Sequence, residues 1–369
     1  MNIVIITSSA KALFNLRKEL IESWVNAGHK VTAIGDIPPE KIRDKCIERG
    51  FDYKSVKLSR NGLNPVADLR TLRELTERLK ELKPDRVFCT FAKAISYGAW
   101  AANRAGISHV YSLMSGLGSI YRSNSLKIRV IRLIMNRLYK NAFKCSKKVI
   151  FQNKDDLSLF LQLNLVPKEK SVIVNGSGVD LQRFEFNNLP HSSTFLFVGR
   201  LLKEKGICEY IEAAKIIKKK YPHTRFIAVG DIDTNPSSLQ KSEVKQYQTE
   251  GLILFEGFKK DVRPFIRQCD IFVLPSYHEG TPRCVLEAMS MGRPIITSDA
   301  PGCRETVIEG QNGFLIPVED AKALAAKMEY LLLNPDVADK MGCESRRIAE
   351  SKYDVVKINN DYANIMQLD

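Results

Sequence analysis

Short apolar runs alternating with amphipathic helical stretches constrain this chain more than any other feature, because the alternation runs through once and then starts again. The opening "NIVIIT" is followed by a helical pattern from Phe14 to Ala27, then "HKVTAIG", helical stretches at 40–49 and 66–82, and the runs "DRVFCT", "SHVYSLM", "KKVIFQN" and "KSVIVNG". Such punctuation is that of βαβ units, whose crossovers make neighbouring strands parallel and cover both faces of the sheet with helices. Near residue 194 the rhythm restarts with "TFLFVGR", a helical stretch at 206–220, "TRFIAVG", "LILFEG", "DIFVLPS", "RPIITSD" and "GFLIPV". At 369 residues the chain exceeds the size at which one core keeps growing, so the repetition predicts two doubly wound, Rossmann-like α/β domains. The polar, turn-forming "LQRFEFNNLPHSS" at 181–193 reads as the join. The expected spans are 1–187 and 188–345, with 346–369 as a terminal amphipathic helix packing back on the first domain. Open α/β sheets bind ligands outside the carboxyl ends of their strands, so the two domains are expected to face each other across a cleft.

The net charge of +14 is unevenly placed: residues 1–190 carry 32 Lys and Arg against 17 Asp and Glu, and residues 191–369 carry 24 against 25. No acidic residue occurs between Asp85 and Asp155, an interval with 13 Lys and Arg. A field of that sign attracts phosphates, nucleic acid or an anionic bilayer, and without an RNA or DNA motif beside it nucleic acid is not an expected partner. Within the interval, "LKIRVIRLIMNRLYKNAFKCSKK" at 126–148 puts Ile131, Ile134, Met135, Leu138, Tyr139 and Ala142 on one helical arc. Arg129, Arg132, Arg137, Lys140, Lys144 and Lys147 take the other side. A helix packed on the sheet accounts for the arc alone; a basic face turned to an anionic membrane accounts for the missing acid too, and makes Arg129, Arg132, Arg137, Lys140 and Lys144 the expected membrane set. The N-terminal run reads as a buried strand rather than a signal peptide, and no stretch approaches a membrane span. The eight cysteines lack C-x-x-C pairing and read as reduced thiols. The expected location is cytoplasmic, peripheral on the inner membrane.

Two motifs suggest chemistry. "VGRLLKEKG" sets Gly199 and Arg200 just after a strand and Lys205 before a helix, an arrangement suited to a diphosphate because guanidinium and helix N-terminal N–H groups both bind oxyanions. "HEGTPRCVLEAMSMGRPIITSD" at 278–299 holds Glu279 and Glu287, eight positions apart. On one continuous helix they would be offset by about 80° past two turns, so Pro282 is read as the first helical residue, with Glu279 in the loop before it. A nucleotide-linked sugar would place its phosphates between them, hexose hydroxyls near Glu279 and the ribose diol near Glu287, since ionised carboxylates accept from vicinal diols. Gly280, Thr281 and Pro282 would line the same N-terminus. "DID" at 231–233 matches a D-x-D metal motif, but it follows a strand of the second Rossmann-like unit, and no His, Cys and Asp cluster has metal-ligand spacing. No metal or cofactor is expected.

Together, "GRLLKEKG" and the later "CDIFVLPSYHEGTPRCVLEAMSMGRPIITSDAPGCRETV" with "NGFLIPVED" resemble glycosyltransferase family four, retaining enzymes of the GT-B fold. "SRNGLNP", "SGLGSIY" and "VIFQNKDDLSLF" are similar to bacterial transferases that extend undecaprenyl-diphosphate-linked saccharides in O-antigen, capsule and glycan-precursor assembly. The resemblance implies a retaining, metal-independent hexosyltransferase moving a hexose or N-acetylhexosamine, GalNAc among them, from a UDP-sugar to such a lipid-linked acceptor. It implies Arg200 and Lys205 at the diphosphate, Glu279 at the donor sugar and Glu287 at the ribose. The family's histidine after an N-domain strand is replaced by Met114-Ser115-Gly116, with His109 too early to serve, which leaves the Gly116, Leu117 and Gly118 loop on the acceptor side. A nucleotide-sugar epimerase or hydrolase of the same fold, or a polyanion-binding protein, are the alternatives.

Overall fold

The computed structural model describes residues 1–58, 64–117, 119–121 and 125–368. Among them, the strands of the first half are β1 (Asn2–Thr7), β2 (Lys30–Gly35), β3 (Asp52–Ser55), β4 (Arg86–Thr90), β5 (Val110–Met114), β6 (Lys148–Phe151) and β7 (Ser171–Ile173). They form one seven-stranded parallel sheet in the order β3-β2-β1-β4-β5-β6-β7. The short, half-polar edge strand β3 is the one the apolar-run reading missed. The helices of this half are α1 (Lys18–Asn26), α2 (Arg43–Ile47), α3 (Pro65–Leu82), α4 (Ala99–Arg104), α5 (Leu126–Cys145) and α6 (Lys154–Gln162).

Strands that run apolar without interruption are buried on both sides, and β1 shows how: Ile3 and Ile5 pack into one core cluster and Val4 and Ile6 into another, on opposite faces of the pleat. Local chemistry starts the helices. Asn64, Ser125 and Asn153 cap α3, α5 and α6 by accepting from the backbone N–H three residues on.

In the second half, β8 (Thr194–Val198), β9 (Arg225–Val229), β10 (Leu254–Gly257), β11 (Ile271–Leu274), β12 (Ile295–Ser298) and β13 (Gly313–Ile316) form a six-stranded parallel sheet ordered β10-β9-β8-β11-β12-β13. Around it lie α7 (Ile207–Lys220), α8 (Lys241–Thr249), α9 (Arg263–Gln268), α10 (Arg283–Ser290), α11 (Ala321–Leu333) and α12 (Pro335–Lys352). A last helix, α13, spans Val355–Met366. By its contacts the chain divides into Met1–Ser177 with Ile358–Asp369, and Gly178–Lys357.

The terminal segment differs from the single helix expected over 346–369. Helix α12 stops at Lys352, because Tyr353 is buried with its hydroxyl donating to Glu305 O, and the chain then pairs with Val179. Val179 N donates to Tyr353 O at 2.8 Å and Val355 N to Val179 O at 3.0 Å, so the backbone groups that would continue the helix are used in a bridge. Beyond it, Ile358, Tyr362, Met366 and Leu368 enter the first unit's core, where Tyr362 meets Phe88 edge to face at 5.9 Å.

Candidate functional site

In the six-stranded sheet the chain leaves β8 towards β9 on one side and returns to β11 on the other. Turns leaving the carboxyl ends of β8 and β11 therefore diverge, and a crevice opens between them. Those two turns carry the residues singled out above. They are bonded to each other: Glu204 O accepts from Ser276 Oγ at 3.1 Å and from Tyr277 N at 3.0 Å, while Tyr277 Oη donates to buried Glu209 Oε1 at 2.7 Å. Gly206, at φ +79°, permits the approach, since a Cβ there would lie 2.1 Å from Pro275 O. The sequence left a helix start at this point, and α7 begins at Ile207 with Gly206 as its cap.

Lys205 and Glu279, 74 residues apart, come together as a hydrogen-bonded ion pair, Nζ to Oε1. Their side chains keep 23% and 13% exposure, so the pair borders the crevice without being sealed from it. Glu279 is placed by its backbone, whose N–H donates to Pro301 O at 2.9 Å. The loop after β12 can come this close only because residue 302 is glycine, where a Cβ would lie 2.2 Å from Glu279 O. Gly280 and Pro282 are buried beside it and Thr281 is half-buried.

Pro282 is the N-cap of α10 rather than its first residue; its ψ of 107° is extended, and the helix begins at Arg283. Glu287 consequently sits in the second turn, where it accepts from Arg283 Nε at 3.2 Å. That partner was available from the i,i+4 spacing. Arg200, on the turn after β8, donates to Asp233 Oδ2 at 2.7 Å. The D-x-D segment thus has protein partners at both ends: Asp233 Oδ1 also accepts from Asn235 N, and Asp231 Oδ1 from Phe258 N. Among the described residues no three His, Cys, Asp or Glu side chains converge as metal ligands would. Arg283 and the Tyr277–Glu209 pair escaped the sequence reading, and Asp233, read there only within the D-x-D segment, is the partner of Arg200; Tyr277 and Glu209 are 68 residues apart, with no local pattern to announce their pairing.

Burial is the main cause, and Glu209 a lesser one, of a Tyr277 phenol held well above its ordinary range, so it serves as a donor. Cys284 and Cys303, beside Glu279, are likewise pushed up, first by burial and then by that carboxylate, which keeps both thiols neutral and poor nucleophiles.

In the first unit, Met114 ends β5 buried, Gly116 has φ +112° and Leu117 is buried, whereas Gly118 lies outside the described residues. His109 precedes β5, with Nδ1 3.2 Å from Lys147 Nζ. Helix α5 departs from the expected wheel. Its buried set is Met135, Tyr139, Ala142 and Phe143, with Ile131 and Leu138 half-buried against the same core, and none of the residues from Leu126 to Ile134 is buried. Ile134, placed on the inward arc by the wheel, is 41% exposed, alongside Leu126, Val130 and Leu133. Arg129, Arg137, Lys140 and Lys144 are exposed as expected, but Arg132 is half-buried, donating to Ile120 O at 3.0 Å and lying over the Tyr121 ring. Among the described residues no helix is long and apolar enough to cross a membrane.

Two family models match: "Glycosyl transferases group 1" over residues 179–348 and "Glycosyl transferase 4-like domain" over residues 17–176. The chain is 29% identical over 346 residues to the N,N'-diacetylbacillosaminyl-diphospho-undecaprenol α-1,3-N-acetylgalactosaminyltransferase of Campylobacter jejuni, covering 90% of this chain and 89% of that one. It is 31% identical over 282 residues to the UDP-Gal:α-D-GlcNAc-diphosphoundecaprenol α-1,3-galactosyltransferase of Escherichia coli, with 71% and 70% covered. In three dimensions it resembles Anabaena HepE, solved in complex with UDP, at TM-score 0.81 and 19% identity with both chains fully covered. The sucrose-phosphate synthase of Thermosynechococcus elongatus gives 0.79 and 17%, over 100% of this chain and 98% of that one.

Proposed function

Because the chain belongs to the group 1 glycosyl transferases and has the GT-B fold, we propose that it moves a hexose or N-acetylhexosamine from a UDP-sugar to an undecaprenyl-diphosphate-linked saccharide. The observation that carries this reading is the meeting of Lys205 with Glu279 at the carboxyl edge of the second sheet, between the turns after β8 and β11. As the bond to the anomeric carbon breaks, negative charge gathers on the leaving diphosphate. Lys205, Arg200 and the N–H groups opening α7 and α10 are preorganised donors for it, each such donor supplying roughly 3 kcal/mol in comparable sites. Glu279, held by its backbone beside Lys205, is poised for the donor sugar's hydroxyls, and Glu287 for the ribose.

Two cations and two helix starts at the diphosphate make a metal dispensable in this scheme. Retention of configuration is supported by the α linkages in the names of the two relatives, which a retaining transfer from an α-linked nucleotide sugar produces. The first unit would receive the acceptor, and α5 would rest on an anionic bilayer through Lys127, Arg129, Arg137, Lys140 and Lys144, with exposed Leu126, Val130 and Leu133 reaching the acyl boundary.

Purified protein incubated with UDP-sugars and undecaprenyl-diphosphate sugars, in excess EDTA, should add one sugar to one acceptor, read by mass, with an α linkage by NMR. UDP-sugar consumed while every acceptor stays unmodified would favour the epimerase or hydrolase alternative. Turnover that EDTA abolishes and Mn²⁺ or Mg²⁺ restores would overturn the metal-free scheme.

A further inference from the structure

Helices α3, α4 and α5 lie side by side on one face of the first sheet: Leu75, Ala101 and Tyr139 belong to one core cluster, and α4 packs against both neighbours. Each helix returns the chain from the carboxyl end of one parallel strand to the amino end of the next in sequence. Their first turns therefore stand together at the carboxyl edge of the sheet.

Two of those starts carry the same pattern. On α3, Val66, Leu69, Arg70 and Arg73 are spaced i, i+3, i+4 and i+7, a single stripe on the side away from buried Leu72 and Leu75. Val66 is 61% and Leu69 64% exposed, and both arginines are exposed beside them. On α5, Leu126, Arg129, Val130 and Leu133 repeat the spacing, the three apolar members being 78%, 58% and 71% exposed. A lone exposed leucine needs no explanation, and elsewhere in this unit the exposed large apolar side chains, such as Ile47, Leu163 and Ile173, stand singly along the chain. Two helices of one layer that interleave apolar residues with arginine at one spacing, and at one edge, make a surface.

The partner's chemistry follows from the charges. Between Pro65 and Arg73 the one acid is Asp68, which is buried and paired with Lys93, and from Leu126 to Cys145 there is none. Acid returns on α3 only towards the amino edge, at Glu74, Glu77 and Glu81. Apolar side chains among arginines, with no exposed acid, fit the boundary between headgroups and acyl chains of an anionic bilayer; a second copy of the same positive surface would repel it. We propose that the first turns of α3 and α5 enter an anionic bilayer together, so that the first unit meets the membrane with the carboxyl edge of its sheet foremost. Open α/β sheets take their ligands at that edge, and a lipid-linked acceptor carries its diphosphate at headgroup level, so this orientation brings acceptor and binding edge together without lifting the lipid from the membrane. The proposal rests on the membrane reading above, which it extends from α5 to α3 and to an orientation.

The chain has two tryptophans, and Trp24 is buried in the core, so Trp100→Phe leaves a shielded baseline. In that background Leu69→Trp, Val130→Trp and Ile47→Trp are compared on vesicles of phosphatidylglycerol with brominated acyl chains. Leu69→Trp should be quenched as strongly as Val130→Trp, whereas Ile47→Trp, on α2 at the opposite face of the sheet, should not be quenched. In the otherwise unaltered chain, Val66→Ser/Leu69→Ser should weaken binding to the anionic vesicles by about tenfold, as expected when two apolar side chains lose a partial withdrawal from water. Quenching at Val130→Trp but not at Leu69→Trp, or unaltered binding by the serine variant, overturns this proposal and leaves α5 its membrane role. Equal quenching at Ile47→Trp overturns the orientation. A wild-type dimer that the serine substitutions convert to a monomer in sedimentation equilibrium would assign the surface to a second copy instead. Wild-type protein that fails to bind anionic vesicles overturns the membrane reading, and this proposal with it.

Discussion

Lys205 and Glu279 show how much one backbone contact can decide. Each was singled out in the sequence by its own motif, yet their pairing depends on Gly206 letting the turn after β8 lie against Pro275, and on Gly302 letting a third loop support Glu279. If Glu279 acts on the donor sugar as charge develops, Glu279→Gln should lower kcat by about 10² while leaving the donor KM nearly unchanged. Glu287→Ala should do the reverse, raising donor KM with a smaller effect on kcat, because a ribose contact is equal in ground and transition states. Steady-state kinetics on both variants checks the separation, and matching defects would refute the assigned roles. Arg200 and Glu287 were legible as residue types at strand and helix ends; Asp233 was legible only as part of a D-x-D segment and not as the partner of Arg200, and Arg283, which holds Glu287, was within reach of helical spacing. Tyr277 and Glu209 were out of reach, being brought together only by the packing of α7 beside the turn after β11.

Among the elements, α5 departs furthest from what periodicity alone suggests. A helical wheel assumes that the whole length has a core beneath it, whereas the fully buried residues begin at Met135, with Ile131 and Leu138 half-buried against the same core, so the first turns present apolar and basic side chains together. Arg129→Glu/Arg137→Glu/Lys140→Glu removes three attractions of about 1 kcal/mol each near an anionic surface. Arg132 is left in place because it ties the helix to Ile120. In sedimentation with vesicles containing phosphatidylglycerol the triple variant should stay in the supernatant, and its transfer to a full-length lipid acceptor should slow far more than transfer to a short, water-soluble one. Vesicle binding that is equal on neutral and anionic lipid and indifferent to salt would sink the membrane role. The break between α12 and α13 has the same moral in reverse: the amphipathic period continues through 345–366, but Val179 captures the backbone at Tyr353–Val355 and divides it.

At the scale of the molecule, the segment after residue 357 completes the first unit although the second unit precedes it in the chain. Tyr362 fills that core against Phe88 and donates to Gly176 O at 3.3 Å, and Arg86 Nε donates to Met366 O at 2.8 Å. Tyr362→Ala should cost about 3–5 kcal/mol, the range for removing a large buried aromatic side chain. Urea unfolding should show this as a lower midpoint, and a midpoint within error of wild type would mean that the segment does not stabilise the unit. The alternation of apolar runs with helical stretches determined two doubly wound parallel sheets, because strand and helix periods are local properties that survive without knowledge of neighbours. The same holds for the signature residues at strand ends and for the uneven charge. Only the tertiary structure decided which carboxylate meets which cation, which turns of α5 are covered and where the last helix divides. Those outcomes depend on contacts between residues tens to hundreds of positions apart, and on glycines whose missing side chains matter only once two loops are brought together.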